Sequence, residues 1–371
     1  MDSKGEGSWY KRYKDIVLAL AAFLILLILV FLSGTIDNIV LFGLILFFSL
    51  LVIIKSADVF LEGATSLAKI LGLSEFLIGL TLVSIGTSVP EIASTGMASF
   101  EGHANLAIGN IYGSVLVQIT FIMGIVVLFC PVKIEKAVIM RDGLCMLGAV
   151  AILTIFVWPD KKLILWEAVV LISLYVIYIA YLVFYYVIWK KETPDGPGEI
   201  SNGEGSKRGT ILKSLFLLGF GLPLVVFGAA NMVDSSAQIA LHFNVDESVI
   251  GTAITAFGTS VPELIVAAVA IKKAKGLALG TLIGSNITDP LLSIGIAGVI
   301  NPIEVSEVLT VFHYLIPMTI VACVLVLWFM RTNFKLTRFE GSTLVILYLI
   351  TIVGLFLGWD IINFVRGTLG I

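Results

Sequence analysis

The segment Gly-Thr-Ser-Val-Pro-Glu occurs twice in this chain, at 86–91 and again at 258–263, each time inside a long apolar run. A carboxylate at the centre of such a run costs about 2.5 to 3.5 kcal/mol on insertion scales and by default marks an ion or proton path. Two acids at matched positions, Glu91 and Glu263, therefore point to one shared site. The prolines add a second constraint. Pro90 has no N–H for the carbonyl of Gly86, nor Pro262 for that of Gly258, so each helix is expected to kink and release carbonyl oxygens beside a carboxylate and hydroxyls. That is a hard-cation ligand set.

Of the 371 residues, 58% are hydrophobic and 13% charged. A soluble domain carries about a quarter charged residues, so the chain reads as an all-α polytopic membrane protein in a lipid bilayer. Apolar runs long enough to cross the hydrocarbon core recur almost end to end. About eleven are expected: 16–32, then 38–70, 76–99, 105–130, 142–158, 163–189, 212–241, 248–271, 277–300, 308–330 and 340–358. The first follows Lys4, Lys11, Arg12 and Lys14; it is longer than a signal-peptide core, without a clear cleavage pattern, and is read as an uncleaved helix with a cytoplasmic N-terminus.

Charge placement tests that count. Lys69, the Lys133, Lys136 and Arg141 group, the stretches Lys190 to Lys213, Lys272 to Lys275 and Arg331 to Arg338 all fall on the N-terminal side. Lys161, Lys162 and Arg366 fall on the other, as the positive-inside rule requires. Lys55, inside a run, is expected to pair with Asp58 or to snorkel. No stretch is basic enough for nucleic acid, and no obligate protein partner is evident. Cys130, Cys145 and Cys323 lack metal-ligand spacing and read as apolar fillers; His103, His242 and His313 fall near segment ends, where interfacial packing is the expectation.

Between the two copies the composition turns to Gly, Pro and mixed charge, a flexible cytoplasmic linker over 191–211. It separates 36–190 from 212–371, with 1–35 outside both halves. A shift of 172 residues carries Glu91 onto Glu263, Gly79 onto Gly251 and Ala68 onto Ala240; one residue less carries Gly109 onto Gly280 and Gly113-Ser114 onto Gly284-Ser285. With five helices per half, an odd number, the second copy enters the membrane from the opposite side. Such inverted repeats are a transporter signature, with the substrate site near the midplane where they meet.

In each half the kinked helix precedes a Gly-Ser helix. Ser285 and Asp289 share one face of the second, and Ser114 and Gln118 match them in the first. Gathering these helices assembles Glu91, Glu263, Asp289, Gln118, Ser114, Ser285 and the carbonyls around Thr87 and Thr259. All offer oxygen, which disfavours zinc or copper and suits Ca²⁺ or, at nearly the same radius, Na⁺. The bland alternative, hydroxyls and glycines that only pack helices around neutral buried acids, does not account for two kinked acids in register. An embedded enzyme lacks a nucleophile partnered by His, and a channel lacks a continuous polar stripe.

The paired Gly-Thr-Ser-Val-Pro-Glu segments, each followed by a Gly-x-x-Gly-Ser helix, resemble the alpha repeats of the calcium/cation antiporter superfamily, in its prokaryotic sodium/calcium exchanger branch. The resemblance covers roughly 38–358. The proton/calcium branch has Gly-Asn-Ala-x-Glu at this place, so sodium coupling is favoured over H⁺/Ca²⁺ exchange. The resemblance implies a ten-helix core of two inverted five-helix repeats, to which the 16–32 helix is extra. It implies that Glu91 and Glu263, with the Thr87 and Thr259 carbonyls, bind Ca²⁺. It further implies that Ser88, Ser114, Ser260 and Ser285, with the Ala256 carbonyl, complete Na⁺ sites, while Asp289 and Gln118 hold the centre. The first helices of the two repeats, about 38–70 and 212–241, would slide to alternate access. Three positions depart from the family pattern: Gln118 stands for Asn or Asp, Val115 for Asn, and Ser84 faces Ala256 where a small apolar residue is common.

Overall fold

The computed structural model describes residues 3–33, 38–70, 84–134, 136, 139–184, 207–264, 266–267, 275–332 and 334–362. Apart from two short strand pairs the described residues with regular structure are helical, and nine of their helices are long and apolar enough to cross a membrane. These are Ile16–Ser33, Ile39–Ser56, Ala104–Phe129, Ile139–Asp160, Leu165–Val183, Gly209–Phe243, Leu279–Ile300, Leu309–Arg331 and Arg338–Phe356. The other two expected segments are the proline-containing ones. The 76–99 segment is described from Ser84, as Ser84–Thr87 and Val89–Phe100. The 248–271 segment runs Glu247–Ile250, Gly251–Thr255 and Ala256–Thr259, then helical residues from Val261. Of the linker expected over 191–211, residues 191–206 lie outside the described residues, and from Lys207 a helix to Phe243 already begins inside that span.

The molecule is inside out relative to a soluble protein. Outward positions are apolar, with Leu24, Ile177, Trp328 and Phe339 each more than half exposed. Inward positions hold fully buried Ser84, Ser88, Asn110, Ser114, Gln118, Ser285, Asn286 and Asp289. Lipid tails are as apolar as Leu, so what stabilises the interior is close packing and hydrogen bonding rather than removal of apolar surface from water. The tightest crossing shows this. A Cβ on Gly109 would lie 2.5 Å from the Ser248 carbonyl oxygen, one on Gly113 2.7 Å from the Thr252 Cα, and one on Gly251 2.6 Å from the Leu106 carbonyl oxygen. Only glycine permits that approach between the 104–129 helix and the 247–259 segment.

The duplication reappears as geometry. Val132–Lys133 pairs antiparallel with Lys335–Leu336, and Lys162–Leu163 with Ile303–Glu304. In each pair the loop after the third helix of one half meets the loop before the fifth helix of the other, so the two contacts are the same contact made from opposite faces. This is what inverted halves require. The basic residues Lys133, Arg141, Arg331, Lys335 and Arg338 sort onto the first of those faces, Lys161 and Lys162 onto the second. Turns of π-helix also recur at equivalent places, Val117–Ile122 with Asp289–Ser293 and Ile139–Gly143 with Leu309–Leu315.

The apolar packing divides into layers. One cluster joins 104–129, 139–160, 165–183, 275–300, 309–331 and 338–356, and no described residue of 39–70 or 207–243 belongs to it. Those two long helices pack on each other through Leu46, Ile53, Val225, Ala229 and Met232, and meet the kinked segments at Val89, Ala93, Met97, Ile250 and Ile254. The Ser3–Ser33 helix lies against this pair through Ala22, Leu26 and the Phe23 ring, whose centroid is 5.0 Å from that of Phe227.

Candidate functional site

Both kinks form as the prolines dictate. The helix breaks at Ser88 (φ −81°, ψ 2°) and at Ser260 (φ −84°, ψ 6°), with Pro90 and Pro262 just beyond. The break is the same in both copies: Ser88 N–H donates to the Ser84 carbonyl at 3.0 Å and Ser260 N–H to the Ala256 carbonyl at 3.1 Å. A full turn on the near side thus ends where the acids begin, and Glu91 and Glu263 are both fully buried.

A hydrogen-bonded chain links the two copies. The Gln118 amide donates to Asp289 Oδ2 at 3.0 Å and to Ser260 Oγ at 3.4 Å, and Ser260 Oγ donates to Glu91 Oε1 at 2.9 Å. Ser293 Oγ, one turn beyond Asp289, donates to Oδ1 at 3.3 Å. Ser88 neighbours Asp289, Thr259 neighbours Glu91, and Thr87 neighbours Glu263, so each kink places its threonine beside the other's glutamate. Glu91 and Asp289 both repel Glu263 electrostatically. Gln118 and Asp289 sit in the two equivalent π turns, whose wider backbone turn aims these side chains inward.

What the chain leaves over defines its chemistry. Glu91 Oε2, both oxygens of Glu263, Gln118 Oε1 and Ser114 Oγ are buried without a hydrogen-bond partner. Orphaned buried oxygens on this scale are otherwise rare and costly. Every one is an acceptor able to face a cation, and among the described residues no buried lysine or arginine stands with them. Among the described residues no three of His, Cys, Asp and Glu are grouped closely enough to hold a metal alone. A bound ion must therefore also use hydroxyl, amide and carbonyl oxygens, which fits hard, flexible Ca²⁺ or Na⁺ coordination and not zinc.

All twelve residues singled out from the sequence are described, and each but one lies in this region by hydrogen bond, electrostatic neighbour or orphaned oxygen. The exception is Ala256, which contributes its carbonyl, accepting from Thr259 Oγ1 at 3.3 Å. In the other copy the Thr87 hydroxyl donates to the Ser84 carbonyl at 3.2 Å.

A family model described as sodium/calcium exchanger protein matches the chain twice, over residues 41–184 and 213–357. The sodium/calcium exchanger MaX1 of Methanosarcina acetivorans is 33% identical over 346 residues, covering 84% of this chain and 98% of its own length. The membrane protein MJ0091 of Methanocaldococcus jannaschii is 30% identical, covering 83% and 96%. A solved structure of the sodium-calcium exchanger NCX_Mj, soaked with Na⁺ and Sr²⁺, matches at a TM-score of 0.57 and 27% identity over 91% of this chain and 98% of that one. The chain belongs to the sodium/calcium exchanger protein family.

In this family member several polar groups of the region escaped sequence reasoning. Ser293 follows Asp289 by one helical turn and was legible by spacing alone. Asn110 donates to Ser94 at 2.8 Å and Thr95 at 2.9 Å, behind Glu91. Tyr175 reaches in from the 165–183 helix, and nothing local in its apolar run signals that. Lys55 pairs with Asp58 at 3.2 Å. Two histidines expected only to pack instead meet carboxylates, His103 with Glu247 at 2.8 Å and His313 with Asp360 at 3.1 Å. The three cysteines are free, one buried, one half-buried and one exposed.

Proposed function

We propose that the chain is a secondary active antiporter that exchanges Na⁺ for Ca²⁺ across the membrane by alternating access. The observation that carries this is the meeting of two kinked segments at one buried, oxygen-lined place where three of the four oxygens of Glu91 and Glu263 have no partner. Glu91 and Glu263 hold Ca²⁺, helped by the carbonyls of Thr87 and Thr259. The hydroxyls of Ser88, Ser114, Ser260 and Ser285 and the carbonyls of Ser84 and Ala256 hold Na⁺ on either flank. Gln118 and Asp289 fix the centre between them.

Exchange follows from charge. Carboxylates crowded in a low-dielectric site repel one another unless cations neutralise them. An ion-free, ionised site resists the rearrangement that turns it to the other face, so one set of ions leaves as another arrives. The layered packing supplies the moving part. The pair of long helices, 39–70 and 207–243, has its own apolar contacts and covers the kinks. Leu50 lies where a Cβ on Gly258 would come within 2.5 Å, and Ser236 meets Thr255 at 3.4 Å. Sliding this pair uncovers the site first from one face, then from the other.

The excess of Lys and Arg on one side supports a cytoplasmic N-terminus and 191–211 linker, in a chain that spans the plasma membrane. The halves 36–190 and 212–371 act as the two repeats, with 1–35 outside them. No other protein is needed. In proteoliposomes an imposed Na⁺ gradient drives uptake of radiolabelled Ca²⁺, and a pH gradient without Na⁺ does not; uptake driven by pH alone makes H⁺ the counter-ion, and uptake without any counter-gradient makes the chain a channel.

A further inference from the structure

The two flanks of the site have the same backbone and different polar bracing. On one, Ser84 Oγ meets Thr288 Oγ1 at 3.2 Å and, one turn along both helices, Thr87 Oγ1 meets Ser285 Oγ at 3.5 Å. These two rungs join the Ser84–Thr87 turn to the Lys275–Thr288 helix. Tyr175 closes the ladder from a third helix, its hydroxyl 3.1 Å from Thr288 Oγ1. On the opposite flank the equivalent residues are Ala256, Val117, Thr259 and Ser114 by the shifts of 172 and 171, and Tyr348 by the 173-residue offset between the Leu165–Val183 and Arg338–Phe356 helices. Ala256 and Val117 have no hydroxyl to form the first rung, Ser114 Oγ is without a partner, and the Tyr348 ring packs on Phe121 at 5.2 Å instead.

Hydroxyl accounting fixes the directions. Thr288 donates its one proton to the Gly284 carbonyl at 2.9 Å, so its two lone pairs receive the protons of Tyr175 and Ser84. Thr288 is then saturated, Ser84 is held with its proton turned away and both lone pairs free, and Thr87, accepting from Ser285, keeps one lone pair. Thr87 spends its own proton on the Ser84 carbonyl. The result is a flank whose hydroxyl oxygens are pre-set to accept a small cation before that cation arrives, which lowers the ordering cost of binding. The flank at Ala256 has to assemble its ligands on binding.

We infer that Tyr175, acting through Thr288 and Ser84, is a positioning residue that makes the Ser84–Thr87–Ser285 flank the stronger Na⁺ subsite. Tyr175 touches no ion; it holds the hydroxyls that do. The inference rests on the sodium-for-calcium reading of the site. Ca²⁺, held by Glu91 and Glu263, is nearly indifferent to it.

The test measures half-saturating Na⁺ and half-saturating Ca²⁺ for exchange in proteoliposomes of the full chain, wild type beside Tyr175→Phe, Ser84→Ala and Tyr348→Phe. Losing one neutral hydrogen bond predicts that Tyr175→Phe and Ser84→Ala each raise half-saturating Na⁺ roughly two- to tenfold. In Tyr175→Phe half-saturating Ca²⁺ and the maximal rate should stay within about twofold, and Tyr348→Phe should match wild type. The double variant should be little worse than the stronger single one, because both act through Thr288. Unchanged Na⁺ dependence in Tyr175→Phe, or Na⁺ and Ca²⁺ constants moving together, overturns the inference. If Tyr175→Phe cannot be recovered folded, Ser84→Ala decides, since alanine already occupies the equivalent position of this chain. Absence of Na⁺-driven exchange in the wild type would instead sink the exchanger reading itself.

Discussion

The same six residues, Gly-Thr-Ser-Val-Pro-Glu, make the same kink twice, yet they stand in unlike surroundings. At 86–91 the segment is tied down: hydroxyl rungs reach Ser285 and Thr288, and Glu91 accepts a hydrogen bond from Ser260. At 258–263 neither oxygen of Glu263 has a partner; Ser260 is held by Gln118 and Glu91, and the turns before it pack on the 104–129 helix by close backbone approach at Gly109, Gly113 and Gly251 and by the Thr252 hydroxyl on the Gly109 carbonyl. Backbone conformation follows the local sequence, since proline acts on its own turn. Polar partnership follows residues from other helices, Gln118 against Asp289 and Val117 against Thr288, where the duplicates have diverged. One flank is braced by hydroxyl rungs and the other is not, while Ser88 Oγ, Glu91 Oε2 and both oxygens of Glu263 stay open to ligands. A site that binds one divalent ion or several monovalent ones needs both.

The largest effect that tests this contrast is loss of a carboxylate. Glu263→Gln removes the least satisfied acid and is expected to lower Na⁺-driven Ca²⁺ flux by at least about a hundredfold, the range for removing a buried charged ligand. Glu91→Gln should do the same but also leave Ser260 without its charged acceptor, so its folded protein should be measurably less heat-stable than Glu263→Gln. Equal stability of the two would erase the proposed difference between flanks.

Next comes the glycine crossing. Gly113→Ala places a methyl group against the Thr252 Cα and the Ala256 Cβ, and overpacking of this kind costs about 1 to 3 kcal/mol. Thermal unfolding in detergent should show a clear fall, and ion affinity should change more than it does on an equivalent lipid-facing substitution such as Leu24→Ala.

Copying one flank onto the other is a finer probe. Ala256→Ser with Val117→Thr gives the second flank the residues of the first rung. A modest strengthening of Na⁺ over Ca²⁺, within about tenfold, is expected from one added hydrogen bond; no change would mean the rungs do not reach the ions.

The smallest effect lies at the loop end of the same crossing, where His103 and Glu247 link the starts of the two helices at 2.8 Å. The hydrogen bond to Glu247 is the main cause that raises the His103 pKa, against the opposing effect of burial. A group whose folded pKa is raised stabilises fully below its unfolded value and loses that contribution as pH rises through the folded one. Wild type should therefore be more heat-stable than His103→Gln near pH 5.5 to 6, and the gap should close by about pH 8 to 9. A gap that widens with pH would mean the pair is not ionic.

Much of this was legible in the sequence. The spans, the inverted halves and the kinks follow from hydrophobic length, charge placement and the two prolines, each a local rule. The twelve candidate residues could be singled out because duplication marks positions expected to meet. The π turns at Gln118 and Asp289 were not, because a one-residue slip in helical hydrogen bonding leaves no side-chain pattern. Nor was Tyr175, whose hydroxyl is one polar atom in the apolar 165–183 run and whose partner is distant in the chain. Histidine pairing at His103 and His313 was missed for the same reason: the carboxylates come from other loops.

The account stands or falls on whether Na⁺ and Ca²⁺ compete for the oxygens of Glu91 and Glu263. Equilibrium binding of radiolabelled Ca²⁺ to the purified protein, titrated with Na⁺, measures this directly. The account predicts that saturating Na⁺ displaces all bound Ca²⁺ and that Glu263→Gln binds none. Ca²⁺ retained at saturating Na⁺, or undiminished binding in Glu263→Gln, would contradict it.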